Sequence, residues 1–356
     1  TDRPHGGAIM LTDAIKASAV TLDHSVGHAH DVLKLHHWDP EEVRHLIMHQ
    51  TSATTLDGAV EELNRHFGKS ICGQHNTVNN LHRRGNTATT THWVAVMDMI
   101  RQGRIGVGDK AVFAISGSGQ TIGTALYRFD DLPDRILGER VSERRTLSSA
   151  ESVKFGVRIK AAALRSSDQE RFDSRCGLAV VESAAASAVI CLQQAGWLPN
   201  QVEWLVHCGV YRDDFLSEPA VAAILAGELQ MNEDRPGTSG TRTLAFDVSD
   251  GARGALMSCG MIADEIRAGK IERGMVTASE LENNDSTLPQ RQLWQSGSAI
   301  ALERCPVGYG LGDFFFQSYP KCADALRTST VMLEGKPRLM ITSNPQAAKW
   351  FLDCVV

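Results

Sequence analysis

From residue 8 to about residue 35, apolar residues recur at three- and four-residue spacing, which predicts an amphipathic helix. Trp38-Asp39-Pro40-Glu41-Glu42 breaks this pattern as a turn. The apolar run 43–48 then predicts a buried strand leading straight into His49-Gln50. Helical spacing returns at 55–67 and at 91–102, the latter stopping at Gly103, with Arg83-Arg84-Gly85-Asn86-Thr87 as a loop between them. Strands are expected at 111–115 and 125–129, on either side of a glycine-containing loop from Ser116 to Gly123. From about residue 130 to 154 the chain is charged and aperiodic. Beyond it, strands are expected at 157–164, 202–206, 244–248, 274–278 and 298–303, and helices at 177–195, 219–229 and 254–268. This alternation predicts an α/β fold, with helices stacked on mixed sheets whose pairing is mainly parallel. The domains read as a half over 1–135, a linker over 136–155 and a second half over 156–356.

The two halves share a pattern. Met99-Ile100-Arg101-Gln102-Gly103-Arg104-Ile105 and the strand after it are echoed 166 positions later by Glu265-Ile266-Arg267-Ala268-Gly269-Lys270-Ile271 and its strand. Val43 to His49 is echoed by Val202 to Cys208, 159 positions on. Nearly equal offsets predict a duplicated unit, far longer than a solenoid repeat, with an active site where the copies meet.

Composition narrows the function classes. A net charge of −6 gives no basic footprint for nucleic acid and no polybasic membrane patch. No apolar run approaches the roughly 18 residues of a membrane span, and no signal peptide is visible, so a cytoplasmic location is expected. The chain opens at Thr1, so its biological start is expected elsewhere. The 8 cysteines include no C-x-x-C pair and read as free thiols in a reducing compartment. His24, His28, His30, His36 and His37 crowd one helical stretch without acidic or cysteine partners at a familiar ligand spacing. They read as a solvated face, and no metal is expected.

The candidate chemistry lies at strand ends. His49-Gln50 follows a buried strand, Asn86 sits in a Gly-Asn-Thr loop before a helix, and the loop through Gly117 and Gly119 lets backbone N–H groups approach a ligand. An imidazole and an amide together stabilise a developing enolate or thioester oxyanion, and loop N–H groups stabilise a tetrahedral one. Taken singly, each has a structural reading; their co-occurrence within about 80 residues favours a site.

These residues resemble the β-ketoacyl-ACP synthase III enzymes of the thiolase superfamily. The resemblance runs through Leu46-Ile47-Met48-His49-Gln50-Thr51-Ser52, Arg84-Gly85-Asn86-Thr87-Ala88, residues 100–109 and the glycine loop with its closing strand. In the second half, residues 204–219, Ala245-Phe246-Asp247-Val248-Ser249 and residues 266–280 are similar to the family's N-terminal half. Ser296-Gly297-Ser298-Ala299 looks like its Gly-Asp-Gly-Ala strand start without the Asp. The resemblance implies a thiolase fold with a duplicated αβαβα layered core. It also implies acyl transfer or decarboxylative Claisen condensation from acyl-CoA or acyl carrier protein, in fatty acid or polyketide biosynthesis. CoA or phosphopantetheine thioesters are then substrates, with no permanently bound cofactor, and the assembly is a homodimer or pseudo-heterodimer. His49 and Asn86 would stabilise the enolate, the Gly119 N–H would supply half an oxyanion hole, and Gln50, Gly117 and Arg253 would border the substrate.

Two departures stand out. The His/Asn half precedes the half that should carry the nucleophile, as in a circular permutation, a segment of tandem synthase units, or a numbering that departs from biological order. Phe351-Leu352-Asp353-Cys354-Val355-Val356 looks like the helix start near Leu11-Thr12-Asp13-Ala14-Ile15, which points to a tandem origin. The family's cysteine nucleophile is absent: by count its position falls on Ala252, or on Arg253 if the loop shifts by one. Cys259 lies about two helical turns (~10 Å) further on and reads as a small buried hydrophobe. Cys208 matches His49 in the repeat, a position without a nucleophile role. Acylation should therefore fail, by natural loss or engineering, while decarboxylation survives. Two alternatives follow: a catalytically silent partner subunit of a ketosynthase dimer, or an acyltransferase to an alcohol or amine.

Overall fold

The structure is a computed structural model describing residues 14–87, 91–117, 121–137, 155–166, 174–232, 242–281, 296–307, 309–316, 326–333 and 336–346. These divide into two compact units, residues 14–137 and residues 155–346.

In the first unit α1 (Ala14–Leu35), β1 (His45–Met48), α2 (Ala53–Phe67), α3 (Leu81–Arg84), α4 (Thr91–Arg101), β2 (Lys110–Gly117), β3 (Thr121–Arg128) and α5 (Leu132–Leu137) follow in order. The sheet order is β1-β2-β3, with β1 parallel to β2 and β2 antiparallel to β3. All four residues of β1 are buried because helices cover both faces of the sheet. Ile47 joins Ala95, Val96, Met99 and Ile100 of α4 on one face. Leu46 and Met48 join Val26 and Leu33 of α1 and Leu56 and Leu63 of α2 on the other. The two-residue period of a strand assigns these side chains to their faces. Full burial of Ile47, Met99 or Ile100 contributes about 1.5–3 kcal/mol each. Ser52 begins α2, its hydroxyl accepting the Thr55 N–H at 3.1 Å.

The second unit contains β4 (Gly156–Ser166), α6 (Ala179–Ala195), β5 (Trp204–His207), α7 (Val221–Glu228), β6 (Leu244–Asp247), α8 (Gly254–Arg267), β7 (Arg273–Glu280) and β8 (Ser296–Cys305). Their strands form one sheet in the order β4-β8-β7-β5-β6, and β9 (Leu326–Leu333) pairs with β10 (Lys336–Ser343) in a separate hairpin. The Ala- and Ser-rich face of α6 lets it lie close on the sheet. A methyl group at Gly297 would meet the Ser183 carbonyl oxygen at 2.1 Å, so only glycine fits there.

The sequence repeat is a structural repeat. The parallel pair β1–β2 followed by antiparallel β3 matches the parallel pair β5–β7 followed by antiparallel β8. The His49 N–H donates to Ala114 O at 3.2 Å, and the Cys208 N–H donates to Thr277 O at 3.0 Å. The α/β fold class expected from the alternation holds.

Several details differ from the expectation. Pairing is mixed rather than mainly parallel: β2–β3, β4–β8, β7–β8 and β9–β10 are all antiparallel. The stretch read as a glycine loop from Ser116 to Gly123 is largely hairpin. β2 runs through Gly117 and β3 begins at Thr121, with Gly117 opposite Thr121 and Ile115 opposite Gly123. Gly119 lies outside the described residues. The start of the aperiodic charged stretch is helical, because Leu132 and Ile136 of α5 pack under α4.

Candidate functional site

β1 ends beneath the start of α4, and the Gln50 N–H donates to the Thr91 hydroxyl at 3.1 Å across that junction. His49 projects from there half-buried. Its Nε2 lies 3.3 Å from Asn86 Oδ1, and because an amide oxygen only accepts, Nε2 carries the proton in this pair. The structure thus brings together two residues 37 positions apart that the sequence singled out separately.

His92 completes the cluster. Its ring stands edge-on to His49, with centroids 5.8 Å apart at 77°. Its Nε2–H donates to Ala114 O at 2.9 Å, the same carbonyl that accepts the His49 N–H. Burial pushes the His92 imidazole below its ordinary range, opposed by the Ala114 hydrogen bond and reinforced by His49. His92 is therefore neutral at physiological pH, fixed in its Nε2–H tautomer, and adds no positive charge beside His49.

Gln50 has a different place from the expected one. It is 1% exposed, so its side chain turns into the interior rather than onto an open surface. Its Nε2 donates to Met48 O at 3.0 Å and Val78 O at 3.1 Å, and its Oε1 accepts the Asn80 N–H at 3.1 Å. It braces the backbone beneath the pair because a buried amide needs every partner it can reach. Asn80 Nδ2 in turn donates to Asp98 Oδ2 at 3.1 Å. Asp98 sits 5% exposed on α4 and receives Arg84 Nε at 3.1 Å and Nη2 at 2.6 Å. The Arg84 hydrogen bond holds the Asp98 carboxyl down at about 2, with help from Asn80 and against the cost of burial. Sequence reading did not single out Asp98, Asn80 or His92 for the site. The one available signal was a carboxylate and an imidazole inside the apolar stripe of a helix.

Gly117 ends β2 in this unit. Ala252 and Arg253 belong to the second unit, in the single 3-10 turn Gly251–Arg253 that leads into α8. Arg253 Nη2 donates to Asp250 Oδ1 at 2.8 Å. Behind that turn the Cys208 thiol, pushed up to about 12 by burial, donates to Thr277 O at 3.3 Å. Cys259, pushed up to about 11, is buried within α8. Neither thiol supplies a thiolate near neutral pH. Among the described residues no group of three or more His, Cys, Asp or Glu could hold a metal ion. Nor is any described helix long and apolar enough to cross a membrane.

Residues 33–129 match the family model for the C-terminal part of 3-oxoacyl-[acyl-carrier-protein] synthase III. A β-ketoacyl-[acyl-carrier-protein] synthase III from Solibacter usitatus (strain Ellin6076) is 31% identical over 99 residues, and those residues make up 28% of this chain and 28% of the relative. Among solved structures, the priming β-ketosynthase of the R1128 polyketide pathway is 17% identical with a TM-score of 0.45, over 61% of this chain and 69% of that one. A variant of Xanthomonas campestris OleA, with bound lauric acid and lauroyl-CoA, is 14% identical with a TM-score of 0.36, over 56% and 70%. FabH from Xanthomonas oryzae pv. oryzae KACC10331 is 16% identical with a TM-score of 0.32, over 50% and 62%. The sequence similarity to 3-oxoacyl-[acyl-carrier-protein] synthase III lies in residues 33–129, and the matched stretch spans 28% of the Solibacter relative.

Proposed function

We propose, from the premise that this chain is a β-ketoacyl-ACP synthase III-like member of the thiolase superfamily, that its His49–Asn86 pair binds the thioester carbonyl of a malonyl donor and promotes its decarboxylation. The single observation that carries this reading is the 3.3 Å approach of His49 Nε2 to Asn86 Oδ1. A thioester oxygen entering between them takes the Nε2–H that Asn86 now accepts, and receives a second hydrogen bond from the Asn86 Nδ2–H₂ once the amide turns. When the bond from Cα to the carboxylate carbon breaks, CO₂ leaves and its electron pair becomes an enolate, whose charge rests on that oxygen. Two neutral donors aimed at developing charge stabilise the transition state more than the ground state. Protonation at Cα by water then yields the acetyl thioester.

On this reading the donor is a CoA or acyl carrier protein thioester, and the alanine at position 252 removes the acylation half of the reaction. Malonyl-CoA decarboxylation, followed by acetyl-CoA formation, tests the proposal. His49→Ala and Asn86→Ala should each lower kcat by about 100-fold, and Ala252→Cys should gain an acyl adduct by intact mass. No decarboxylation by the chain or by Ala252→Cys, with either CoA or carrier-protein donors, would overturn it. A second reading, a silent partner subunit in a ketosynthase dimer, draws support from the inert state of the Cys208 and Cys259 thiols. Retained decarboxylation would rule that reading out.

A further inference from the structure

Asn86 stands on an exposed loop after α3, a helix of a single turn with no buried residue. Only Leu81, at its far end from Asn86, packs on the apolar core, and a side chain misplaced by about 1 Å loses most of its catalytic value. The chain into the loop passes from Arg84 through Gly85, whose φ of +67° is a conformation that side chains resist. What holds that stretch is a circuit of polar groups running under the site. Gln50, next to His49, accepts the Asn80 N–H; Asn80 donates to Asp98; and Asp98 takes both the Nε and Nη2 of Arg84, two residues before Asn86. The guanidinium–carboxylate contact is two-pronged and so fixes direction as well as distance. One end of the circuit lies beside His49 and the other beside Asn86.

We propose that Asp98 is a positioning residue: through Arg84 it sets the Asn86 amide against the His49 imidazole. This rests on the reading of His49 and Asn86 as the reacting pair, yet part of its test is independent of that reading. Neither Asp98 nor Arg84 need touch substrate. The circuit explains why α4 carries a carboxylate in a helix face otherwise filled by Ala95, Val96, Met99 and Ile100. It also explains how the C-terminal end of α3 is fixed, where Leu81 at its start is the one residue packed on the apolar core.

The experiment uses the full chain with ¹³C-labelled histidine, the His49 ring signal being assigned by His49→Gln. Arg84→Met keeps the aliphatic stem and removes the fork; Asp98→Asn removes the charge. Both should move the His49 ring resonance in the direction that Asn86→Ala does. Arg84→Lys should restore at most part of the wild-type signal, because an ammonium cannot reproduce the fork. In malonyl-CoA decarboxylation, kcat should fall about 10- to 100-fold with KM within about twofold. In the Asn86→Ala background, Arg84→Met should lower kcat no further, the non-additivity expected of residues acting through one another. Should Asp98→Asn fail to fold, Arg84→Met decides alone, since the Arg84 side chain is 38% exposed. A His49 signal unchanged by Arg84→Met but moved by Asn86→Ala overturns the proposal, as does an additive loss in the double variant. If the wild-type chain decarboxylates nothing, the functional reading falls while the His49 signal still decides the positioning role.

Discussion

His207 ends β5 with no exposed surface, and its ring is surrounded by groups that do little for a positive charge. Nδ1 meets the Thr277 hydroxyl at 3.2 Å, while Nε2 has no hydrogen-bond partner among the described residues. The half-buried ion pair between Arg212 and Asp247, 2.9 Å, lies nearby. Burial drives the imidazole down to about 4; Asp247 pulls it up and Arg212 pushes it down further. Between the ordinary value of 6.5 and about 4, the unfolded chain binds a proton that the folded chain refuses. Stability must therefore rise with pH across this window: it is fully present above 6.5 and is lost as the pH falls toward 4. At about 1.4 kcal/mol per unit the loss amounts to about 3 kcal/mol. The perturbation is His207→Gln, which keeps a polar side chain but cannot titrate. Urea denaturation of both chains at pH 7, 6, 5 and 4, followed by fluorescence and circular dichroism together, gives the stability difference at each pH. All other titrating groups cancel in that difference, which should move by about 3 kcal/mol in favour of the variant between pH 7 and pH 4. A difference independent of pH would refute the reasoning, because it would mean that the folded protein accepts the proton as readily as the unfolded chain does.

Asp98, held near 2 by Arg84, works with the opposite charge. Its contribution is present above about pH 4 and fades as the pH falls toward 2, so the gap between wild type and Asp98→Asn should narrow over that range. Solvent around the half-exposed guanidinium trims the effect to about 1–2 kcal/mol, measurable by urea denaturation. Gly297→Ala forces a methyl group into the Ser183 carbonyl and should cost about 1–3 kcal/mol in thermal unfolding; an unchanged midpoint would mean that α6 does not lie so close to β8. A thiol reagent applied to the native chain at pH 8 should label exposed Cys176 and spare Cys208 and Cys259, as peptide mass mapping would show.

Those elements were legible whose stabilising contacts follow the chain's own period. β1 reads as a strand because its four residues are buried on both faces, and α2 and α4 because their buried residues recur at helical spacing. The duplication was legible because β1 and β5 face equivalent neighbours and so carry equivalent apolar runs. The hairpin reaching from β2 into β3 was misread because glycines signal a loop locally, whereas ladder hydrogen bonds to the opposite strand decide the matter. α5 was lost for a similar reason, its apolar contacts, Leu132 and Ile136, being too few to set a period. The β9–β10 hairpin was not anticipated at all.

The site was legible to a different depth. His49 and Asn86 show in the sequence because each follows or precedes a regular element and carries chemistry that such a position can use. The groups that hold them do not, because their partners lie far away in sequence: Asp98 is 14 residues from Arg84 and 18 from Asn80, and Gln50 is 30 from Asn80. Here the supporting circuit bears on the functional question. If position 252 marked the decay of the whole reaction, only the demands of folding would preserve the geometry around His49. Yet the first unit keeps the imidazole–amide pair at 3.3 Å, a neutral second imidazole and a fully bonded Gln50 beneath them. Burying Asp98 carries a desolvation penalty that good partners offset, and removing the half-exposed Arg84 partner costs about 1–2 kcal/mol. The circuit also serves folding, so its presence alone does not separate catalysis from inheritance. The exposed end is more telling: the Asn86 side chain lies at the surface and still faces His49. Asn86→Ala should therefore leave the unfolding midpoint nearly unchanged while removing most of the decarboxylation. A large fall in the midpoint with activity intact would assign the pair to structure instead.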